Sequence, residues 1–313
     1  MDRRRFLLAA AAAPLALREV PAALASADKP LAFVTADTEA HVALVDLDAG
    51  VVRRRIATEP GPRSVERVGG AAVVAHTAMG TVSVLDGSGV RLVLHGFEEP
   101  RYTAAARDGR HAFVTDSGRV ELATVDVVRG EVVARLRLRL WPRHLSLSRD
   151  GRTLWVGLGT ASPELAVVDV SDPRRPHVRG RVRPPFAAHD VGFAPSGRTW
   201  VTAGEAGAIA VYDRGRVRVL PADAAPQHVT FLDGRAFVTS GGDGTLRVYD
   251  ERTAHLLRTA SVPAGSYNVQ FAAGRVITPS LNAGTLCVID AGGVQRLRVQ
   301  VAASSHDACL ARG

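Results

Sequence analysis

Along the chain, apolar and polar residues alternate over runs of five or six positions, and each run is cut by Gly, Asp or Asn. A period of two marks half-buried β-strands, not helices. A run ending in aspartate recurs at Asp46, Asp86, Asp126, Asp169, Asp213, Asp250 and Asp290, with spacings of 40, 40, 43, 44, 37 and 40 residues. Short strands repeating at a period near 40 predict an all-β, seven-bladed β-propeller with four antiparallel strands per blade.

Residues 226–250 show the plan: strand-like HVTF, a turn at Asp233-Gly234, AFVT, a second turn at Asp243-Gly244, then TLRVYD. Both Asp-Gly pairs are expected as type I′ turns, which need positive φ at two successive positions. The fourth strand is the less regular stretch after the aspartate, here 254–260. The plan repeats at 142–156, 188–213 and 266–290, with weaker copies at 62–86 and 100–126.

The chain enters the repeat at LAFVT (31–35), which matches a second strand, and ends on SHDACLAR (305–312), which matches the innermost-strand segment AHDVGFAP at 188–195. The C-terminal strand is therefore expected to complete the N-terminal blade, a closure that removes exposed sheet edges. Apolar residues before each aspartate, such as Leu246, Val248, Leu286 and Val288, are expected between neighbouring blades.

Residues 1–27 have a different character: Arg3, Arg4 and Arg5 precede an apolar run from Phe6 to Leu17, and Ala25-Ser26-Ala27 forms an A-x-A cleavage site. The run is too short for the roughly twenty residues that span a bilayer. It is expected to be an export signal, with the propeller occupying 28–313; an uncleaved N-terminal anchor is the alternative. Arg3-Arg4-Arg5-Phe6-Leu7-Leu8 resembles the twin-arginine motif, with Asp2 and Leu8 as departures. That resemblance implies a periplasmic or extracellular protein, exported already folded, and makes a bound cofactor or metal more expected.

Composition excludes disorder: 46% of residues are hydrophobic and 22% charged. The net charge is +8, reduced by two when the four arginines and two acids of the signal are removed. Lys29 is the only lysine, and arginine is spread over every repeat, which argues against a nucleic-acid-binding stripe. Cys287 falls in a third strand and Cys309 in an innermost strand, so both are expected as buried free thiols despite an oxidising destination.

FVT at 33–35, 113–115 and 237–239, VID at 288–290 and PRHLSLSRDGR at 142–152 resemble the unit of the YVTN-repeat propellers, the YncE-like group of the quinoprotein amine dehydrogenase-like, WD40-like superfamily. The asparagine of the family's name is absent, and the tryptophan of WD40 repeats is replaced before each aspartate. The resemblance implies the fold; across the family, function ranges over binding proteins, lactonases and partners of redox enzymes.

Residues present in every blade are scaffold, and the seven aspartates are expected to cap hairpins through nearby backbone N–H groups. Function is sought where repeats differ, at the start of each innermost strand, which converges on the central channel. Two consecutive positions qualify. The first holds Arg63, Arg101, Arg143, His189, Gln227, Tyr267 and His306; the second holds Ser64, Tyr102, His144, Asp190, His228, Asn268 and Asp307. Together these fourteen positions carry four of the ten histidines. Which of the two faces the axis is left open.

Arg63, Arg101 and Arg143 form an arc suited to carboxylate or phosphate oxygens. His144, Asp190, His228 and Asp307 offer imidazole and carboxylate to a transition metal. His41 and His76 share that face, whereas His95, His111, His177 and His255 are expected at the surface. Phosphate loops and G-x-S-x-G elbows are absent. The leading expectation is a non-catalytic propeller binding a small anionic ligand or a partner protein at its channel mouth. A metal-dependent lactonase or hydrolase, or an accessory of a periplasmic redox enzyme, is the alternative.

Overall fold

The computed structural model describes residues 29–159, 164–222 and 225–312. The expected export signal, 1–27, and Asp28 lie outside them. Twenty-eight strands form seven four-stranded antiparallel sheets arranged as the blades of a propeller. Helix among the described residues is limited to two 3-10 turns, Thr77–Met79 and Gly204–Ala206. None is long and apolar enough to cross a membrane.

Closure is by the C-terminal strand. Ala308–Arg312 is the innermost strand of blade 1 and pairs with Leu31–Ala36, bringing Phe33 opposite Cys309 and Val34 opposite Ala308. The innermost strands of blades 2 to 7 are Pro62–Val68, Pro100–Ala105, Pro142–Leu147, Asp190–Phe193, Val229–Leu232 and Gln270–Ala272.

Apolar residues pack between blades, as the alternation requires. Phe237, Leu246 and Val248 of blade 6 meet Val276, Cys287 and Ile289 of blade 7. Ala32, Val34, Ala43 and Val45 of blade 1 meet Ile277, Leu286 and Val288 of blade 7 across the closure. Each fully buried aliphatic side chain contributes roughly 1.5–3 kcal/mol, so a blade is held chiefly by its neighbours. Outermost strands face solvent: in Val51–Ala57, Arg53, Arg54 and Arg55 are exposed and only Ile56 is buried.

The repeated aspartates cap hairpins. Asp46 Oδ1 accepts the N–H groups of Asp48 and Ala49 at 3.0 and 2.8 Å, and Asp250 Oδ1 those of Arg252 and Thr253 at 3.1 and 2.7 Å. Asp213 instead takes Arg198, at 2.7 Å.

Three local expectations change. Asp233-Gly234 has the two positive φ angles of a type I′ turn, 47° and 70°, but at Asp243-Gly244 only the glycine does, inside a four-residue Gly241–Gly244 loop. The fourth strand of blade 6 is Leu256–Ser261, slightly later than expected. His111 is buried rather than superficial, because the Asp108 loop folds back and sets its carboxylate 2.6 Å from Nδ1. Cys287 and Cys309 are free and buried, in different sheets, and burial pushes the Cys287 thiol up to about 11.

Candidate metal centre at the channel mouth

A threonine of the second strand holds the start of the innermost strand in several blades. The backbone N–H groups of Asp307, Tyr102, Asp190 and His228 donate to Oγ1 of Thr35, Thr115, Thr202 and Thr239 at 2.9, 3.2, 3.1 and 3.4 Å. Thr202 and Thr239 also donate onward, to the carbonyls of Gln227 and Tyr267 in the next blade. This is the physical role of the T in the recurring FVT. Blade 4 departs from it: Gly157 occupies the threonine position, opposite Leu165 of the third strand.

Both candidate positions are used, at different depths. All seven residues of the second set, from Ser64 round to Asp307, line the axial channel, a cavity of about 310 Å³. Arg143, His189 and Gln227 of the first set line a separate, wider cavity of about 630 Å³ at the mouth, where Gly157 leaves room between blades 4 and 5. His144 lines both cavities, so it stands where mouth meets channel.

The reason is a break in the strand. In blades 2, 3 and 4 the register slips between Pro62 and Ser64, Pro100 and Tyr102, and Pro142 and Leu145. Arg63, Arg101 and Arg143 sit in these irregularities, and simple alternation no longer governs where they point. In blade 5 the ladder begins only at Asp190, leaving His189 before the strand.

The consequence is a cluster that draws on both sets. His144, His189 and His228, from three successive blades, place one ring nitrogen each within 4.8 Å of the other two. Their ring centroids are 4.4 Å (His144–His189), 4.5 Å (His144–His228) and 5.2 Å (His189–His228) apart. His144 is buried, and its Nε2 has no hydrogen-bond partner. Behind His228, Asp190 Oδ2 lies 3.2 Å from Nδ1 and also accepts the Val229 N–H at 3.3 Å. Gly204, at φ +60°, lies against His189: a Cβ there would come within 3.3 Å of Nδ1. Burial, reinforced by neighbouring positive groups, holds His144 and His189 well below the usual imidazole range. Neutral imidazoles with free lone pairs are what a metal ion requires.

The remaining members of the two sets lie elsewhere. Asp307 is outside the imidazole group; its oxygens accept the N–H groups of Val65 and Ala308 at 3.0 and 2.9 Å, and burial pushes it up to about 6. His306 turns Nδ1 to the Arg63 carbonyl at 2.9 Å, while Asn268 donates to its backbone carbonyl at 2.7 Å. Tyr267 packs over Gly241, where a Cβ would collide with its ring. Arg63 pairs with Asp37 at 3.6 Å and Arg101 with Glu99 at 3.3 Å. Arg143 has no carboxylate partner among the described residues; Trp141, absent from both candidate sets, lies 5.6 Å beneath it and 5.8 Å beneath Arg101. Glu66 also lines the channel, and burial beside Asp307 pushes it up to about 8. Its only sequence signal is a carboxylate inside an innermost strand.

Solved structures similar to this chain are propellers. Hydrazine synthase from Kuenenia stuttgartiensis aligns at a TM-score of 0.72 and 17% identity, over 84% of this chain and 92% of its own. A protein of unknown function from Desulfotomaculum acetoxidans gives 0.77 and 9%, over 90% and 99%. Apo AztD from Citrobacter koseri gives 0.69 and 12%, over 90% and 98%. Identities this low establish the fold and nothing finer. No protein-family model matches the chain, and no curated protein matches it.

Proposed function

We propose that this protein is a binding propeller whose ligand is a transition-metal ion, held at the channel mouth by His144, His189 and His228. One observation carries the reading: three imidazole nitrogens from three blades lie within 4.8 Å of one another. Imidazole suits zinc, copper, iron and nickel, and three protein ligands leave a coordination position open. The unpartnered Nε2 of buried His144 fits this set, since a buried polar atom without a partner is costly. Asp190 behind His228 fits it as well, as the outer carboxylate that fixes a ligand's tautomer.

Membership of the YVTN-repeat group and export to the periplasm belong to the same proposal. FVT, VID and RDGR support the first, and Arg3-Arg4-Arg5-Phe6-Leu7 supports the second. Metal analysis of protein purified after native export tests the reading. A stoichiometric metal lost on His144→Ala supports it; less than about 0.1 equivalent of any transition metal rejects it.

A hydrolase reading draws on one further observation, the carboxylate of Glu205 at the mouth cavity, a group of the type that acts as general base toward a metal-activated water. Lactone turnover by metal-loaded protein that is lost in Glu205→Gln would favour it, and absence of turnover would leave the binding role.

A further inference from the structure

We infer that the open coordination position at the histidine cluster is filled by a small carboxylate anion clamped by Arg143, so that metal and anion bind as a pair. The inference rests on the metal reading above and adds the class of its second ligand.

The argument begins with charge. Three neutral imidazoles bring no negative charge to a divalent cation. Asp190, in the channel, supplies one through His228, and Glu205, exposed at the rim, supplies the only carboxylate lining the mouth cavity among the described residues. Arg143 adds a positive charge to the same cavity. With the metal in place the mouth therefore keeps an excess of positive charge in a partly desolvated setting, which one monoanion would neutralise.

The second step is that Arg143 is built to hold an anion. Arg63 and Arg101 each face a carboxylate of their own, Asp37 and Glu99, whereas Arg143 faces none among the described residues. Its Nε is buried without a hydrogen-bond partner, as are those of Arg63 and Arg101, so the absence of a facing carboxylate is what sets it apart. Its guanidinium lies 5.6 Å from the Trp141 ring centroid, which holds the side chain in place while leaving the N–H fork unengaged among the described residues. The register slip between Pro142 and Leu145 lets Arg143 and its neighbour His144 line the same cavity, which regular alternation would forbid.

A carboxylate matches both demands: one oxygen enters the open coordination position, and the other accepts from the guanidinium. No covalent step is involved. By linkage, an anion that raises metal affinity is itself bound more tightly when metal is present, by the same factor.

The test uses full-length folded protein loaded with Co2+ in a non-coordinating buffer, with acetate as probe and bicarbonate as the alternative source of the same oxygen pair. Absorption reports coordination, and competition with a chelating dye reports Zn2+ affinity. Acetate or bicarbonate is expected to shift the Co2+ visible band and to raise Zn2+ affinity at least about fivefold. Arg143→Gln should abolish both effects, and its anion-free Zn2+ affinity should rise, not fall, because the variant removes a positive charge beside the ion. Arg143→Lys, which keeps the charge but loses the fork, should retain only part of the gain, and Arg101→Gln should retain it all. An unchanged Co2+ band and Zn2+ affinity in either anion, or an unaltered response in Arg143→Gln, would overturn the pairing. Absence of any Co2+ band in wild-type protein would overturn the metal reading itself.

Discussion

Asp190 Oδ2 lies 3.2 Å from Nδ1 of His228, and this contact joins the second candidate position of blade 5 to that of blade 6. A carboxylate at this place favours a proton on Nδ1, an arrangement that would turn the opposite ring nitrogen toward a metal. Outer-shell carboxylates of this kind typically matter about 10–100-fold for metal affinity. Asp190→Asn is therefore expected to weaken Zn2+ binding by about that factor, with an unchanged far-ultraviolet circular dichroism spectrum. Equal affinities in variant and wild type would show that Asp190 serves only the Val229 amide.

The closing strand supports a second prediction. Deleting residues 304–313 removes the partner of Leu31–Ala36 and uncovers Phe33, Val34 and the blade 1 side of the closure. Several kcal/mol should be lost, lowering the melting temperature by about 10 °C or more in a thermal scan. A truncated protein melting with the full-length one would refute closure by this strand.

Gly157 supports a third. Thr202 and Thr239 donate across to the next blade, and Gly157 leaves that place vacant between blades 4 and 5. A Cβ there would meet the His144 and His189 carbonyls at 3.6 and 3.8 Å, ordinary contacts. Gly157→Thr should raise the melting temperature by about 2–4 °C, through strand propensity and a new interblade hydrogen bond. It should also slow metal uptake in stopped-flow measurements, because it narrows the mouth. Faster or unchanged uptake would show that this cavity is not the route.

The ring was legible in the sequence because its signals are local and repeated: an alternating run, an aspartate cap, a turn. The same locality left the site only partly legible. Alternation could not say whether Arg143 or His144 faces the cavity, because the slip after Pro142 suspends it, and both do. Repeat position groups His189 with the arginines, yet it precedes its strand and joins His144 and His228. Trp141 and Glu66 carry no such signal, since the stacking of Trp141 under Arg101 and the burial of Glu66 inside a channel depend on neighbours brought in from other blades.

Glu66 gives a prediction for pH. Its folded-state value near 8 exceeds the ordinary 4.5, so the folded protein holds a proton that the unfolded chain releases between those values. Stability from this group is full below about pH 4.5 and is lost as pH rises toward 8. Glu66→Gln should therefore melt about 2–4 °C above wild type at pH 8.5 and close to it at pH 4.5. Comparing the two proteins at each pH cancels the buried histidines, whose lowered values act in the opposite direction, destabilising as pH falls. Parallel pH profiles for the two proteins would contradict this account of Glu66.

The most direct measurement is an anomalous difference map from crystals of the full-length protein grown with Co2+ or Zn2+. The account predicts one strong peak at the channel mouth, about 2.0–2.1 Å from a nitrogen of each of His144, His189 and His228. A map without that peak, or with the ion bound elsewhere and these imidazoles unengaged, would contradict it.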